Sequence, residues 1–444
     1  MGATGQSTCF KAGSAISGKL NEFQRTMLQW SGLHPYNAVH VARVSSPLEP
    51  SRLGEAIGRV VSLAGLTNYR VTKDGGRYHY GGGPIEVDPC ILDGGEDPVS
   101  VVHREMERQL NEPFPQTGVF QPFRWFLVQG ENESFAGLAY FHMVADAESI
   151  GRLFREVLTA AIDELPQVLG DTGLARQRSS RVPWGGLTSL PRRARGAFRK
   201  FQRMRQSFRS PDCPVNRFDN EWFGLSLDVR DSAAALELAR KHGATANDLF
   251  LAALLKAVIP ATSWRFEKAR QHLSAGCVVN VRRDLPESRR GDFGLFLGTF
   301  SVTHPVPVDV KLEDLIKSIC EQTREVKRDR LYLASKFEFR LNRFLFANQP
   351  LEKQRNFYRK AYPVWGSLTN FKMDGFQIGE KAEVTEYYRA VSAGPALPFV
   401  IGVTGYRGRL HFGFTYRPDV IRGETLRGIV DRFILLITGK EQEA

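Results

Sequence analysis

Apolar positions along this chain recur with two different periods, and the switches between them mark its elements. From Pro50 to Ala64, Leu53, Ala56, Ile57, Val60 and Val61 return at three- and four-residue steps, which predicts a helix with one buried face. Pro50 and Ser51 supply its start and Gly65 its stop. A strand-like stretch follows, then Asp74-Gly75-Gly76 and Arg77-Tyr-His-Tyr80, which predict a hairpin. Ser134 to Phe141 is apolar and aromatic enough for a buried strand. After a short polar stretch, Ile150, Leu153, Phe154, Val157, Leu158 and Ala161 mark an amphipathic helix.

The second half repeats the style. Leu225-Ser-Leu-Asp-Val229 alternates like a strand, and Ser232 is placed to cap a helix ending at Gly243. Thr245-Ala-Asn-Asp248 is a capping box opening an apolar helix from Leu249 to Val258. Cys277 to Val281 is a short strand. Val400–Val403, Leu410–Tyr416 and an amphipathic helix from Gly423 to Ile437 close the chain. Strands and helices alternate in both halves, so the fold class is mixed α/β. No apolar run reaches the length of a membrane-spanning helix, and Met1 to Lys19 lacks the apolar core of a signal peptide.

Charge changes the picture only locally. The 444 residues carry a net +12, but eleven basic residues and no acidic one lie between Asp171 and Asp212. Removing those eleven leaves the rest at +1. The segment opens like a linker at Arg178-Ser-Ser-Arg-Val-Pro and becomes helical where Phe198, Phe201, Met204 and Phe208 share a face. It divides the chain into residues 1–170, a connector at 171–212 and residues 213–444. Its aromatic face is expected to pack on a lobe with its charges solvated, or to dock something acidic, either a carrier protein or anionic lipid. Nucleic acid is disfavoured, because the basic residues sit in a connector rather than across a folded face.

Most common chemistries have no motif here. There is no phosphate loop, dinucleotide fingerprint, nucleophile elbow or zinc-protease helix. Five scattered cysteines form no pair with metal spacing, so no metal or disulfide framework is expected. Cys277 sits in an apolar strand and reads as core filler. One constellation remains. His142, on the turn between the buried strand and the amphipathic helix, is followed four residues later by Asp146. A histidine on such a turn suits general-base work, and the carboxylate can hold the turn through an arginine.

His142-x-x-x-Asp146-Ala147 resembles the HxxxDG motif of acyltransferases with the chloramphenicol-acetyltransferase-like fold. That group includes nonribosomal-peptide condensation domains, alcohol acyltransferases and wax ester synthases. Phe23-Gln24-Arg25 with His34-Pro-Tyr-Asn37 is similar to the family's opening helix and first strand. Thr245-Ala-Asn247-Asp248, Asn280-Val-Arg282-Arg283, Gly294 to Thr299 and Thr369-Asn370 resemble its later motifs, in the same order. Phe141 stands where many members have a first histidine, and Ala147 where they have glycine.

The resemblance implies two α/β lobes in a V-shaped pseudo-dimer with a central tunnel. It implies transfer of an acyl group from a coenzyme A or carrier-protein phosphopantetheine thioester to a hydroxyl or amine. His142 is then the base and Asp146 structural, paired with Arg282 first, Arg70 or Arg25 next. Asn370 and Thr299 become oxyanion or substrate contacts. Arg199, Lys200 and Arg203 become donor-docking residues. No cofactor is held permanently. A cytoplasmic monomer is expected, or, in the lipid-acyltransferase alternative, one peripheral to the membrane's inner face. A second alternative is a scaffold relative that has lost the chemistry.

Overall fold

A computed structural model describes residues 15–163, 190–210, 219–346, 348–373, 375–378, 381–395 and 397–440. The first part of the chain supplies β1 (Ile16–Lys19), α1 (Glu22–Ser31), β2 (Asn37–Val44), α2 (Pro50–Leu63), β3 (Tyr69–Val71), β4 (Arg77–Tyr80), β5 (Cys90–Asp93), α3 (Pro98–Asn111), β6 (Phe123–Gln129), β7 (Ser134–Phe141) and α4 (Ala147–Ile162). Helix α5 (Leu190–Arg205) comes next. Then follow β8 (Glu221–Ser226), α6 (Val229–Lys241), α7 (Ala246–Ala257), β9 (Leu273–Asn280), β10 (Leu297–His304), α8 (Leu312–Arg328), α9 (Ser335–Phe346), α10 (Leu351–Ala361), β11 (Gly366–Lys372), β12 (Val384–Val391), β13 (Phe399–Tyr406), β14 (Arg409–Tyr416) and α11 (Gly423–Thr438).

Two mixed sheets carry the structure, and β1, β3 and β4 form a small third one. The first large sheet runs β12-β2-β7-β6-β5, and the second β10-β9-β11-β13-β14-β8. One face of the first packs on α2 and α4, through Ile57, Val61, Leu153 and Val157. The other face packs on Val102, Met106 and Leu110 of α3. Helices α7, α8 and α11 cover the second sheet. Strand β12 comes from late in the chain, yet it pairs antiparallel with β2.

Local chemistry explains the elements. Every residue of β7 is buried, as befits a strand covered on both faces. Gly137 in its middle has no substitute, because the Phe126 ring fills the space a Cβ would take. Helix α2 begins at Pro50 and is ended by Gly65 at φ +67°. The Thr245–Asp248 capping box of α7 is formed in both directions. Two expectations need correction. Asp228, not Ser232, caps α6, since the strand ends earlier than its alternation suggests and Asp228 accepts from the Asp231 amide. Ser232 instead sits inside the helix and accepts from the Leu410 amide at 2.9 Å.

The second correction concerns α5. Its register is helical, but Phe198 and Phe201 are each 58% exposed rather than packed. Only Phe208, beyond the helix, is buried, stacked on Trp365 at 5.7 Å. Some of its charges are paired, while Arg195 and Arg205 are exposed. Arg192 pairs with Asp329 at 2.7 Å, Arg199 with Glu325, and Lys200 with Glu338 of α9 at 3.0 Å. So α5 lies down through ion pairs and leaves its aromatic residues facing out. Arg176, Arg178 and Arg181 lie outside the described residues.

Candidate active site

A cavity of about 860 Å³, counted out to its mouth, lies between the two large sheets. His142, Asp146, Tyr140 and His40 come to it from the first sheet and its turn; Asn280, Thr369 and Asn370 come from the second. The turn carrying His142 is pinned from several sides. Its Met143 carbonyl accepts from the buried Gln24 side chain at 2.9 Å. The Asp146 amide donates to the Gly294 carbonyl at 3.0 Å.

At the edge of the cavity, the Asp146 carboxylate is engaged in a polar cluster. It caps α4 through the Ser149 amide at 2.9 Å and accepts from the Phe296 amide at 3.0 Å. One terminal nitrogen of Arg282 reaches both its oxygens, at 2.9 and 3.0 Å, and the Ser149 hydroxyl at 2.6 Å. The other terminal nitrogen donates to the Arg290 and Asp292 carbonyls at 2.9 and 2.7 Å. Arg282 is thus the arginine that meets Asp146. Arg70 is exposed on β3, and Arg25 reaches the Gly76 carbonyl instead. Gly294 sits at φ +148°, a conformation that favours glycine, which lets the loop fold back onto the turn. Ala147 is the first residue of α4 and needs no such freedom.

The His142 ring stacks on Tyr36 at 5.7 Å and meets Tyr140 edge-on at 5.7 Å. Its Nδ1 is sealed without a hydrogen bond of good geometry, which leaves Nε2 as the nitrogen open to the cavity. Burial lowers its pKa to about 4, opposed by backbone interactions at Ala145 and His142 and by the Asp146 charge. The ring is therefore neutral at physiological pH. Burial pushes the thiols of Cys277 and Cys320 up to about 12 and about 11, so neither is a ready nucleophile.

Of the other expected residues, Asn370 lines the cavity and donates to the Asn247 side chain at 2.8 Å. Thr299 does not line it; it sits on edge strand β10, one same-face position beyond the cavity residue Leu297. Arg199 and Lys200 are engaged by Glu325 and Glu338, whereas Arg203 has no ion-pair partner among the described residues. Sequence patterning does not reveal Gln24 as a brace of the turn, nor the cavity residues Tyr36, the stacking partner, and His40 with Arg389. The His40 ring shares a 2.7 Å hydrogen bond with the Tyr387 hydroxyl, and burial holds it neutral. Arg389 is buried, its pKa lowered to about 10 by desolvation, and it stays charged at neutral pH. No strand had been anticipated at 384–391, so nothing marked that arginine.

The sequence matches no family model, and it matches no curated protein. Solved structures share its fold. The first condensation domain of the CDA synthetase is 15% identical, with a TM-score of 0.65 over 95% of each chain. The condensation domain of the Monacolin K polyketide synthase MokA is 14% identical, with a TM-score of 0.66 over 96% of this chain and 98% of that one. The starter condensation domain of rhizomide synthetase RzmA, solved as a mutant with C8-CoA and Leu-SNAC, is 15% identical, with a TM-score of 0.63 over 95% and 94%. The chain therefore shares the fold of these condensation domains, with its two large sheets flanking a central cavity.

Proposed function

We propose that this chain is an acyltransferase that moves an acyl group from a coenzyme A or carrier-protein thioester to a hydroxyl or amine, with His142 as general base. The observation that carries the reading is a neutral histidine, open at Nε2 to a cavity between two sheets, on a turn bolted to both. Nε2 takes the proton of the acceptor as it attacks the thioester carbon. The resulting imidazolium returns that proton to the departing thiolate. Base assistance of this kind contributes about 10² to 10⁴ in rate. Asp146 and Arg282 hold the turn and do not touch the reactants. Asn370 is the better oxyanion candidate, because it borders the cavity and keeps a second amide hydrogen to donate. The fold's likeness to a domain solved with C8-CoA supports a thioester donor.

Thiol release from a panel of acyl-CoA and acyl-carrier thioesters, with pooled alcohols and amines, tests this. A fall of two or more orders of magnitude in His142→Ala supports it. Turnover that the mutation leaves intact overturns it.

A second reading, a lipid acyltransferase working at a membrane surface, is favoured by one observation. Phe198 and Phe201 on α5 and Leu341, Phe344 and Leu345 on α9 are exposed, and the Lys200–Glu338 pair makes these helices neighbours. Exposed Arg195, Arg205 and Arg340 lie on the same two helices. Such a surface suits anionic headgroups. Among the described residues no single helix is long and apolar enough to cross a membrane. Salt-sensitive flotation with anionic liposomes, lost in Phe198→Ser/Phe201→Ser, is the result expected of it; no flotation removes it.

A further inference from the structure

Four arginines are buried among the described residues, and one of them lacks what the others have. Arg282 meets a carboxylate and three further oxygens at 3.0 Å or less. Arg417 donates to the Ala393 and Gly394 carbonyls at 2.8 and 2.7 Å. Arg265 donates to the Thr262 hydroxyl at 2.9 Å and its carbonyl at 3.1 Å. Arg389, 7% exposed, has no partner at Nη1. Its Nη2 has only the Thr369 and Val403 carbonyls, both at 3.4 Å, the far edge of a hydrogen bond.

The residue lies opposite His40 across the β2–β12 pair and lines the same cavity as His142. No carboxylate there is free to serve it. Asp146 is held by Arg282, and Glu148 by Arg152 and Asn280. His40 and the tyrosines Tyr140 and Tyr387 are neutral at physiological pH. Much of the remaining wall is apolar, with Phe23, Met27, Leu297 and Val400. A desolvated guanidinium with one nitrogen lacking an acceptor, and the other held only at long range, is unfavourable and is satisfied when a ligand brings an acceptor.

We propose that Arg389 anchors a carboxylate carried by the substrate, so that the cavity takes an amphipathic carboxylic acid whose apolar body lies along that wall. One unpaired cation balances one negative charge. A phosphate monoester, carrying about −1.5 to −2, would stay partly uncompensated. The carboxylate belongs either to the acceptor or to the far end of a dicarboxylic acyl chain. The inference rests on the cavity being the substrate tunnel of the proposed function, and not on the chemistry of His142.

Calorimetry on the full chain with two matched pairs of probes tests it. The pairs are 12-hydroxydodecanoate with its methyl ester, and adipoyl-CoA with hexanoyl-CoA. Wild type should bind the acid member of one pair about tenfold tighter or more. Preference in the first pair assigns the carboxylate to the acceptor, and in the second to the acyl chain. Arg389→Met should abolish the preference, Arg389→Lys should keep part of it, and His142→Ala should keep all of it. Absence of acid preference in both pairs overturns the proposal, as does a preference that survives Arg389→Met. Should Arg389→Met fail to fold, the weakened preference of Arg389→Lys decides. Acid-selective binding without thiol release from any thioester would leave this proposal standing and remove the catalytic reading alone.

Discussion

Arg282, behind the turn that carries His142, and Arg389, in the cavity wall, are both buried and are used in opposite ways. Arg282 donates from both terminal nitrogens to protein oxygens, two of them on Asp146, and thereby fixes the turn that presents His142. Arg389 is left with an empty Nη1 and two long contacts. A buried cation that is fully matched in the resting protein has structural work. One left unmatched in a cavity wall costs stability that a well-packed apolar residue would not, so its position there points to a ligand. The two residues should therefore respond oppositely to the same substitution.

The largest effect is expected at Arg282. Arg282→Met strands Asp146 as a buried charge, which is worth about 3–5 kcal/mol of destabilisation by chemical denaturation, together with loss of turnover. The double variant Asp146→Leu/Arg282→Met should recover most of that stability and none of the activity. Next is His142→Ala, with turnover down about 10²- to 10⁴-fold and the melting temperature nearly unchanged, read by thiol release and calorimetry. Arg389→Met should melt at or above wild type. A melting point lowered as far as that of Arg282→Met would erase the contrast between the two arginines.

Acid sensitivity sharpens the comparison from the histidine side. Burial lowers His142 and His411 each to about 4, and His40 well below the usual value of 6.5. Arg389 adds to the depression at His142 and His40, while Asp146 opposes it at His142. Between pH 6.5 and 4 the unfolded chain takes up protons that the folded one refuses. Stability is thus full above pH 6.5 and falls as pH drops through that window. Melting curves from pH 7.5 to 4.5 should show the fall, and it should be shallower in His411→Gln. In wild type, kcat/KM should hold down to about pH 5 and not bend near 6.5. The smallest effect belongs to α5: Arg199→Glu should change stability by about 1 kcal/mol or less, because its ion pair is half in solvent.

What the sequence made legible is local. The Pro50 start, the Thr245–Asp248 box and the Ser134–Phe141 run each carry their cause within a few residues, and each formed. The Arg282–Asp146 pair spans 136 residues and was readable only through a resemblance of motifs. Composition gave no sign of Arg389 or His40 in the cavity wall. Each is an ordinary polar residue on a strand, and only the pairing of β12 with β2 sets them side by side. Aromatic spacing in α5 predicted burial, yet periodicity says which residues share a face and not whether anything covers it.

That same β12–β2 pairing governs how the chain comes together during synthesis. Strand β2 is complete by residue 44, but its partner on one side emerges only with residues 384–391. Until then the first sheet ends in an open row of backbone donors and acceptors, an aggregation hazard for the nascent protein. Closing it requires a contact between residues more than 300 positions apart, which places it among the late and slow events of folding. The strand that carries Arg389 into the cavity is thus also the clasp by which the two sheets become one molecule.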